Sequence, residues 1–195
     1  MFLEIEDGIA YAIKEFEGRP DFHPEIQLEL AHHHHIDHWI EPAFRQLINM
    51  PIITLSLDDV ICIGIVAFHY LVQTKSLIEE LKKGIAYHPP EAINDPECPS
   101  PLHCDYSWKK EWWNGLAKFM PHPDAGLMGH EILAELEKVK ILGMCDACQM
   151  LTVVWIKEQK VFLKDEEYIS DTISDLTKLQ TDEPITASLQ QELSI

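Results

Sequence analysis

Four of the five cysteines fall into two pairs, Cys98 with Cys104 and Cys145 with Cys148, and forty residues lie between the pairs. A Cys-x-x-Cys turn presents two thiolates to one tetrahedral ion, and a structural Zn²⁺ takes four such ligands, which a second, distant pair can complete. The pattern therefore predicts that Cys98, Cys104, Cys145 and Cys148 converge on one point as a structural zinc site. Closing so long an excursion costs chain entropy, which metal binding worth about 10 kcal/mol or more would offset. The first pair is the wider one, in Cys-Pro-Ser-Pro-Leu-His-Cys, and His103 within it stands as a substitute ligand should one cysteine point away. The competing reading is four reduced thiols that only pack, because free cysteine buries readily. A redox Cys-x-x-Cys lacks the βαβ setting in which that motif usually works. Cys62, inside an apolar segment, reads as core.

Around these pairs the hydrophobic pattern is helical. A first helix is expected over residues 5–17, ending near Gly18 and Arg19-Pro20, and Pro24 is placed to open the second at its first turn. A third starts around Trp39, tolerates Pro42 only in its first turn, and buries Ala43, Phe44 and Leu47. Ser56 with Asp59 resembles an N-cap, opening the apolar run Val60 to Val72, read as a buried helix that continues through Lys83. Pro89, Pro90, Pro96, Pro99 and Pro101 exclude regular structure between His88 and Cys104 and mark the expected lobe boundary.

Periodicity then resumes. Trp108, Trp112, Leu116 and Phe119 share a stripe, with Trp113 and Met120 beside it, which reads as a core face rather than an aromatic ligand site. Residues 131–141 group Ile132, Leu133, Leu136 and Val139. Further helices are expected over residues 147–163 and 165–179, the last with Ile169, Ile173, Leu176 and Leu179 inward. No set of alternating strands competes. The expected fold is all-α, an irregular multi-helix bundle with lobes at 1–88 and 105–180, a Pro/Cys-rich connector at 89–104 and a flexible acidic tail at 181–195.

With 195 residues and 46% hydrophobic content, the chain can build a sizeable core without disulfides. Its longest apolar run is well short of the roughly 20 residues that span a bilayer. The acidic N-terminus does not resemble a leader peptide, so a cytoplasmic or nuclear location with reduced thiols is expected. The formal net charge is −18. Nucleic acid and acidic membrane are therefore expected to be poor partners.

The histidines His32 to His35, with His38, invite a metal reading, since His34 and His38 would share a helical face. Consecutive histidines point in different directions, however, and Ile36-Asp37 looks like a turn between helices, so they read as solvated or packing residues. His122 and His130 are candidate ligands or general bases, though a lone histidine near a helix start is more often a surface residue. No Gly-rich phosphate loop, Gly-x-Ser-x-Gly elbow or His-Glu-x-x-His helix occurs.

Several strings occur together in a telling order: Gln-Leu-Glu-Leu-Ala at 27–31, Asp37-His38-Trp39-Ile40-Glu41-Pro42-Ala43-Phe44-Arg45, Leu55-Ser56-Leu57-Asp58-Asp59, then Cys98, Cys104, Trp108 and Trp112, then His122-Pro123 and Gly143-Met144-Cys145-Asp146-Ala147-Cys148. Over roughly residues 11–180 this resembles the region that follows the BTB/POZ domain in a large, uncharacterised family of mushroom-forming fungi. Nothing in the chain resembles the BTB/POZ domain itself. The resemblance implies a protein-interaction module with no established catalytic activity, substrate or ligand set. The expected function is accordingly a non-enzymatic helical interaction module for a protein partner, with zinc as a structural ion. The alternatives are a small metal-dependent hydrolase using a His- or Cys-bound ion, and a metal-free helical scaffold.

Overall fold

Helix starts follow the prolines and caps of the sequence. The computed structural model describes residues 11, 13–19, 22–115, 117, 120 and 127–181, and among these every regular element is helical, as expected of an all-α chain. The helix expected over 5–17 falls largely outside the described residues; 13–17 are helical. Helix α1 (Pro24–His34) begins on its proline, where the missing N–H has no helical partner to lose. It ends at His35, which takes the left-handed conformation (φ 55°), and Ile36 N–H bonds back to the Ala31 carbonyl. Helix α2 (Asp37–Asn49) starts two residues before the expected point, so Pro42 lies past the first turn and deprives the His38 carbonyl of a helical donor. Its buried face, which includes Trp39, Ile40, Ala43, Phe44 and Leu47, holds it in place regardless.

A 3₁₀ turn (Ile52–Thr54) leads to α3 (Leu57–Ile63), whose start is a complete capping box: Asp59 N–H donates to Ser56 Oγ at 3.1 Å, and Ser56 N–H donates to Asp59 Oδ2 at 2.7 Å. The single helix expected from Val60 onward is not formed. Gly64 stands at φ +82°, outside the helical region, and α4 (Ile65–Tyr87) leaves α3 at a bend of 104°. Nor is the segment wholly buried: Ile63, Ala67 and Leu71 face inward, while Ile61, Ile65 and Val66 are exposed. No single described helix is long and apolar enough to cross a membrane.

The chain divides into two compact units, Met1–Val72 with Thr172–Ile195, and Gln73–Asp171. The division falls within α4 rather than at the Pro-rich loop. That loop belongs to the second unit, because its backbone is tied down there: Ile93 N–H donates to Thr152 Oγ1 at 2.9 Å, and Trp108 Nε1 donates to the Pro90 carbonyl at 2.7 Å. Prolines stop helices, but they do not untether the chain between them.

In the first unit α1 packs on α2 and α3. In the second, α5 (Pro101–Gly115), α6 (Gly129–Lys138) and α7 (Asp146–Glu158) surround a core centred on Trp108, Trp112, Leu136, Ile141, Ile156 and Phe162. Trp108 and Trp112 lie 5.4 Å apart, and Trp112 stacks on Phe162 at 6.1 Å. Leu116 and Phe119 fall outside the described residues. Trp113 departs from expectation: it is 47% exposed and stacks on Tyr87 at 5.8 Å, one helical step off the buried stripe. Trp113→Phe should therefore remove much of the acrylamide-quenchable fluorescence and Trp108→Phe almost none. The opposite ranking in a quenching titration would place the wrong indole in the core.

Helix α7 ends at Glu158 rather than continuing to residue 163, because Lys160 adopts φ 51° and Val161 N–H turns back to the Ile156 carbonyl. Helix α8 (Lys164–Thr181) follows and crosses the division between the units. Ile169 and Leu176 are buried and Ile173 partly so, whereas Leu179, expected inward, is exposed.

Candidate metal centre

Each of the four paired cysteines is positioned by a local device. Asp95-Pro96-Glu97-Cys98 forms a β-turn with proline at its second position: Cys98 N–H reaches the Asp95 carbonyl at 3.0 Å, and Glu97 N–H reaches Asp95 Oδ1 at 2.7 Å. Pro101 opens α5, four residues earlier than the expected start of the second lobe, so Cys104 lies on its first turn and is buried. A second turn, Ile141 to Met144, is closed by Met144 N–H to the Ile141 carbonyl at 3.3 Å and carries Gly143 at φ +88°. A Cβ at Gly143 would stand 2.6 Å from Ser107 Oγ, so the turn needs glycine both for its angle and for the approach of α5. Cys145 then caps α7, and Cys148 sits within that helix's first turn.

These devices bring the sulfurs of Cys98, Cys104, Cys145 and Cys148 to within 4.8 Å of one another. Cys98 Sγ lies 3.7 Å from Cys104 Sγ and 3.8 Å from Cys145 Sγ. A disulfide would need a separation of about 2.05 Å. A tetrahedron with Zn–S bonds of about 2.3 Å has S···S edges of about 3.8 Å. The observed spacings match the second figure, and all four thiols are free.

Electrostatics divide the thiols: one is eased toward the anion, and burial works against another. Asp95 N–H donates to Cys148 Sγ at 3.2 Å. The Cys148 backbone N–H, followed by the Cys148 thiol, holds the Cys145 thiol below its ordinary range, at the positive end of α7. Burial pushes the neighbouring Cys148 thiol up to about 12. Four thiolates this close repel one another, and a divalent cation is the group that allows all of them to ionise.

His103, the expected substitute, is exposed and lies outside the converging set. Among the described residues no other group of three or more His, Cys, Asp or Glu side chains converges in this way. His33, His34, His35 and His38 are exposed, and the turn at His35 and Ile36 interrupts the helix that would have aligned His34 with His38. His130 is exposed on α6, and His122 lies outside the described residues.

Sequence reading missed the support beneath the cluster. Thr152, fully buried one turn after Cys148, donates to the Cys148 carbonyl at 2.8 Å and accepts from Ile93 N–H, locking the Pro-rich loop onto α7. A polar residue at i+4 from a candidate ligand on a buried face was the available signal.

Cys62 is not core. It is partly buried, with its thiol 3.0 Å from Glu29 Oε2, and burial together with that carboxylate pushes its pKa up to about 12. At pH 8 its thiolate fraction should be lower by roughly three orders of magnitude than that of an ordinary thiol, since alkylation follows thiolate. Cys62 should stay unmodified by iodoacetamide while a small-molecule thiol is consumed, and Glu29→Gln should speed its labelling. Rapid labelling in the parent chain, followed by peptide mass mapping, would contradict this.

Compared with protein-family models, with curated proteins and with solved structures, the chain matches none.

Proposed function

We propose that the chain is a non-enzymatic helical protein-interaction module whose second unit is stapled by one structural Zn²⁺ on Cys98, Cys104, Cys145 and Cys148. The observation that carries the metal reading is the sulfur geometry: four thiols from a turn, two helix starts and a cap lie within 4.8 Å of one another, and two of the spacings, 3.7 and 3.8 Å, equal the edge of a zinc tetrathiolate. Four protein ligands complete the tetrahedron and leave no open position for water or substrate, which supports a structural rather than a hydrolytic ion. The interaction reading draws on the resemblance to the region that follows BTB/POZ domains. The net charge of −18 favours protein partners over nucleic acid or anionic membrane. A cytoplasmic or nuclear location fits thiols that must stay reduced to bind metal.

The test is elemental analysis of untagged protein, with cobalt substitution beside it. One zinc per chain, replaced by Co²⁺ with the visible spectrum of a tetrahedral thiolate complex, is the expected result. Sub-stoichiometric metal and a melt indifferent to chelator would leave a metal-free scaffold. Water-exchangeable cobalt bands would point to an open, catalytic ion.

A further inference from the structure

Among the described residues, the first unit displays an apolar surface that none of the others covers. Ile53 is 94% exposed, Leu57 74%, Ile61 68% and Ile65 78%, and these four follow one another from the 3₁₀ turn through α3 to the Gly64 bend. Beyond the bend, Ile65, Val66, Phe68, His69 and Val72 line a hollow of about 450 Å³ on α4. Ile65 belongs to both features, so ridge and hollow are one continuous surface. The apolar residues are interrupted by two acids, Asp58 and Asp59 in the first turn of α3, of which Asp58 is exposed.

We infer that this face is a self-association surface, on which a second copy of the chain seats its own ridge. Shape is the first reason. A two-fold interface brings the same patch of each copy together, so it requires a surface complementary to itself. An exposed aliphatic ridge beside a shallow apolar hollow meets that requirement: the ridge of each copy lies against the hollow of the other. Area is the second reason. The exposed side chains of the patch present on the order of 600 Å² of apolar surface, at the upper end of what a monomer leaves uncovered. Two copies would bury about 1,200 Å² of it together, the lower edge of stable, specific interfaces. The resulting dimer is one that dissociates on dilution.

The charge sets a signature that separates this occupant from others. Two copies of −18 repel, and added salt screens that repulsion while leaving apolar contact intact. Self-association therefore tightens as salt rises, whereas a basic protein partner would bind more weakly. This names one partner for the interaction module proposed above and does not depend on the metal: a metal-loaded monomer would overturn the dimer and leave the zinc reading standing, and a metal-free dimer would do the reverse.

The experiment is sedimentation equilibrium of the full chain over a dilution series at about 0.05 M and 0.5 M salt. Expected is a mass rising toward twice 22.5 kDa with concentration, with the dissociation constant several-fold lower at high salt. Ile61→Glu and Ile65→Glu, at exposed positions, should each weaken the dimer about a hundredfold by placing an unpaired charge in the interface, with unchanged circular dichroism and melting. Val154→Glu, at an exposed apolar site in the second unit, should leave the dimer intact. A mass of 22.5 kDa at every concentration and salt overturns the inference, as does a dimer that survives Ile65→Glu. Flotation of the chain with phosphatidylcholine vesicles, lost in Ile65→Glu, would assign the surface to a bilayer instead and overturn it equally.

Discussion

Cys148→Ser should abolish stoichiometric zinc and leave the second unit unfolded or nearly so, while Cys62→Ser should do neither. Serine keeps the size of the side chain but does not ionise at neutral pH, so the site falls to three thiolates around a buried hydroxyl. Zinc binding to a structural site contributes about 10–16 kcal/mol of apparent free energy, as much as the whole stability of an ordinary domain at about 5–15 kcal/mol. Losing one of four ligands should therefore cost about 4 kcal/mol or more. The Cys148 sulfur also accepts the Asp95 N–H, and that bond weakens in the variant. Urea melts with and without chelator check this. The parent should lose stability on chelation, Cys148→Ser should start low and lose nothing more, and Cys62→Ser should follow the parent. A parent melt insensitive to chelator would remove the metal from the account of stability.

Gly129→Ala should be the most damaging small substitution away from the cysteines. A Cβ there would lie 1.5 Å from the Phe162 carbonyl oxygen and 2.6 Å from its carbon, and these are backbone atoms that cannot rotate aside. Making room would part the start of α6 from the start of α8, where Gly129 N–H donates to buried Asp165 Oδ2 at 2.6 Å and Glu166 N–H to Oδ1 at 2.9 Å. Overpacking against backbone and leaving a buried carboxylate short of a donor together should cost about 4 kcal/mol. Asp165→Asn separates the two contributions, because its amide oxygen can still accept from Gly129 with no new atom in the gap. It should lose clearly less in the same urea titration. Equal losses would show that the carboxylate's charge, rather than the closeness of the backbones, governs the junction.

Both sites show what could be read from the chain alone. Signals written in a few adjacent residues were accurate: Pro24 opening α1, Ser56 and Asp59 closing a capping box, and the convergence of two cysteine pairs. The first two rest on local chemistry that tertiary packing seldom overrides, and the third on the pairing of like ligands across a long excursion. The failures arose where a residue adopted a conformation its type rarely takes, or where a distant segment decided the outcome. Lys160 takes the left-handed conformation without being glycine, so the end expected for α7 at residue 163 lies five residues too far. Gly64 was visible, but glycine inside a helical pattern is common enough that a right-angle bend could not be read from it. Gly129 looked unremarkable because the backbone it touches lies more than thirty residues away. The Pro-rich loop reads as a connector on composition, and its bonds to α5 and α7 place it inside a unit. Trp113 and Leu179 followed from extending a buried stripe by one position on faces that end sooner.

The loop's attachments also bear on how the chain is made. Cys98 and Cys145 are 47 residues apart, and the bonds from Asp95 to Cys148 and from Ile93 to Thr152 span 53 and 59. A ribosome adding about 5–20 residues per second would release Cys98 and Cys104 some seconds before the second pair exists. During that interval two thiols six residues apart lack the other pair, and a disulfide between them would hold both sulfurs away from the tetrahedron. On the proposed zinc reading, the nascent chain would need a reducing surrounding for those seconds, and the metal would act only on a chain whose last ligand has already emerged.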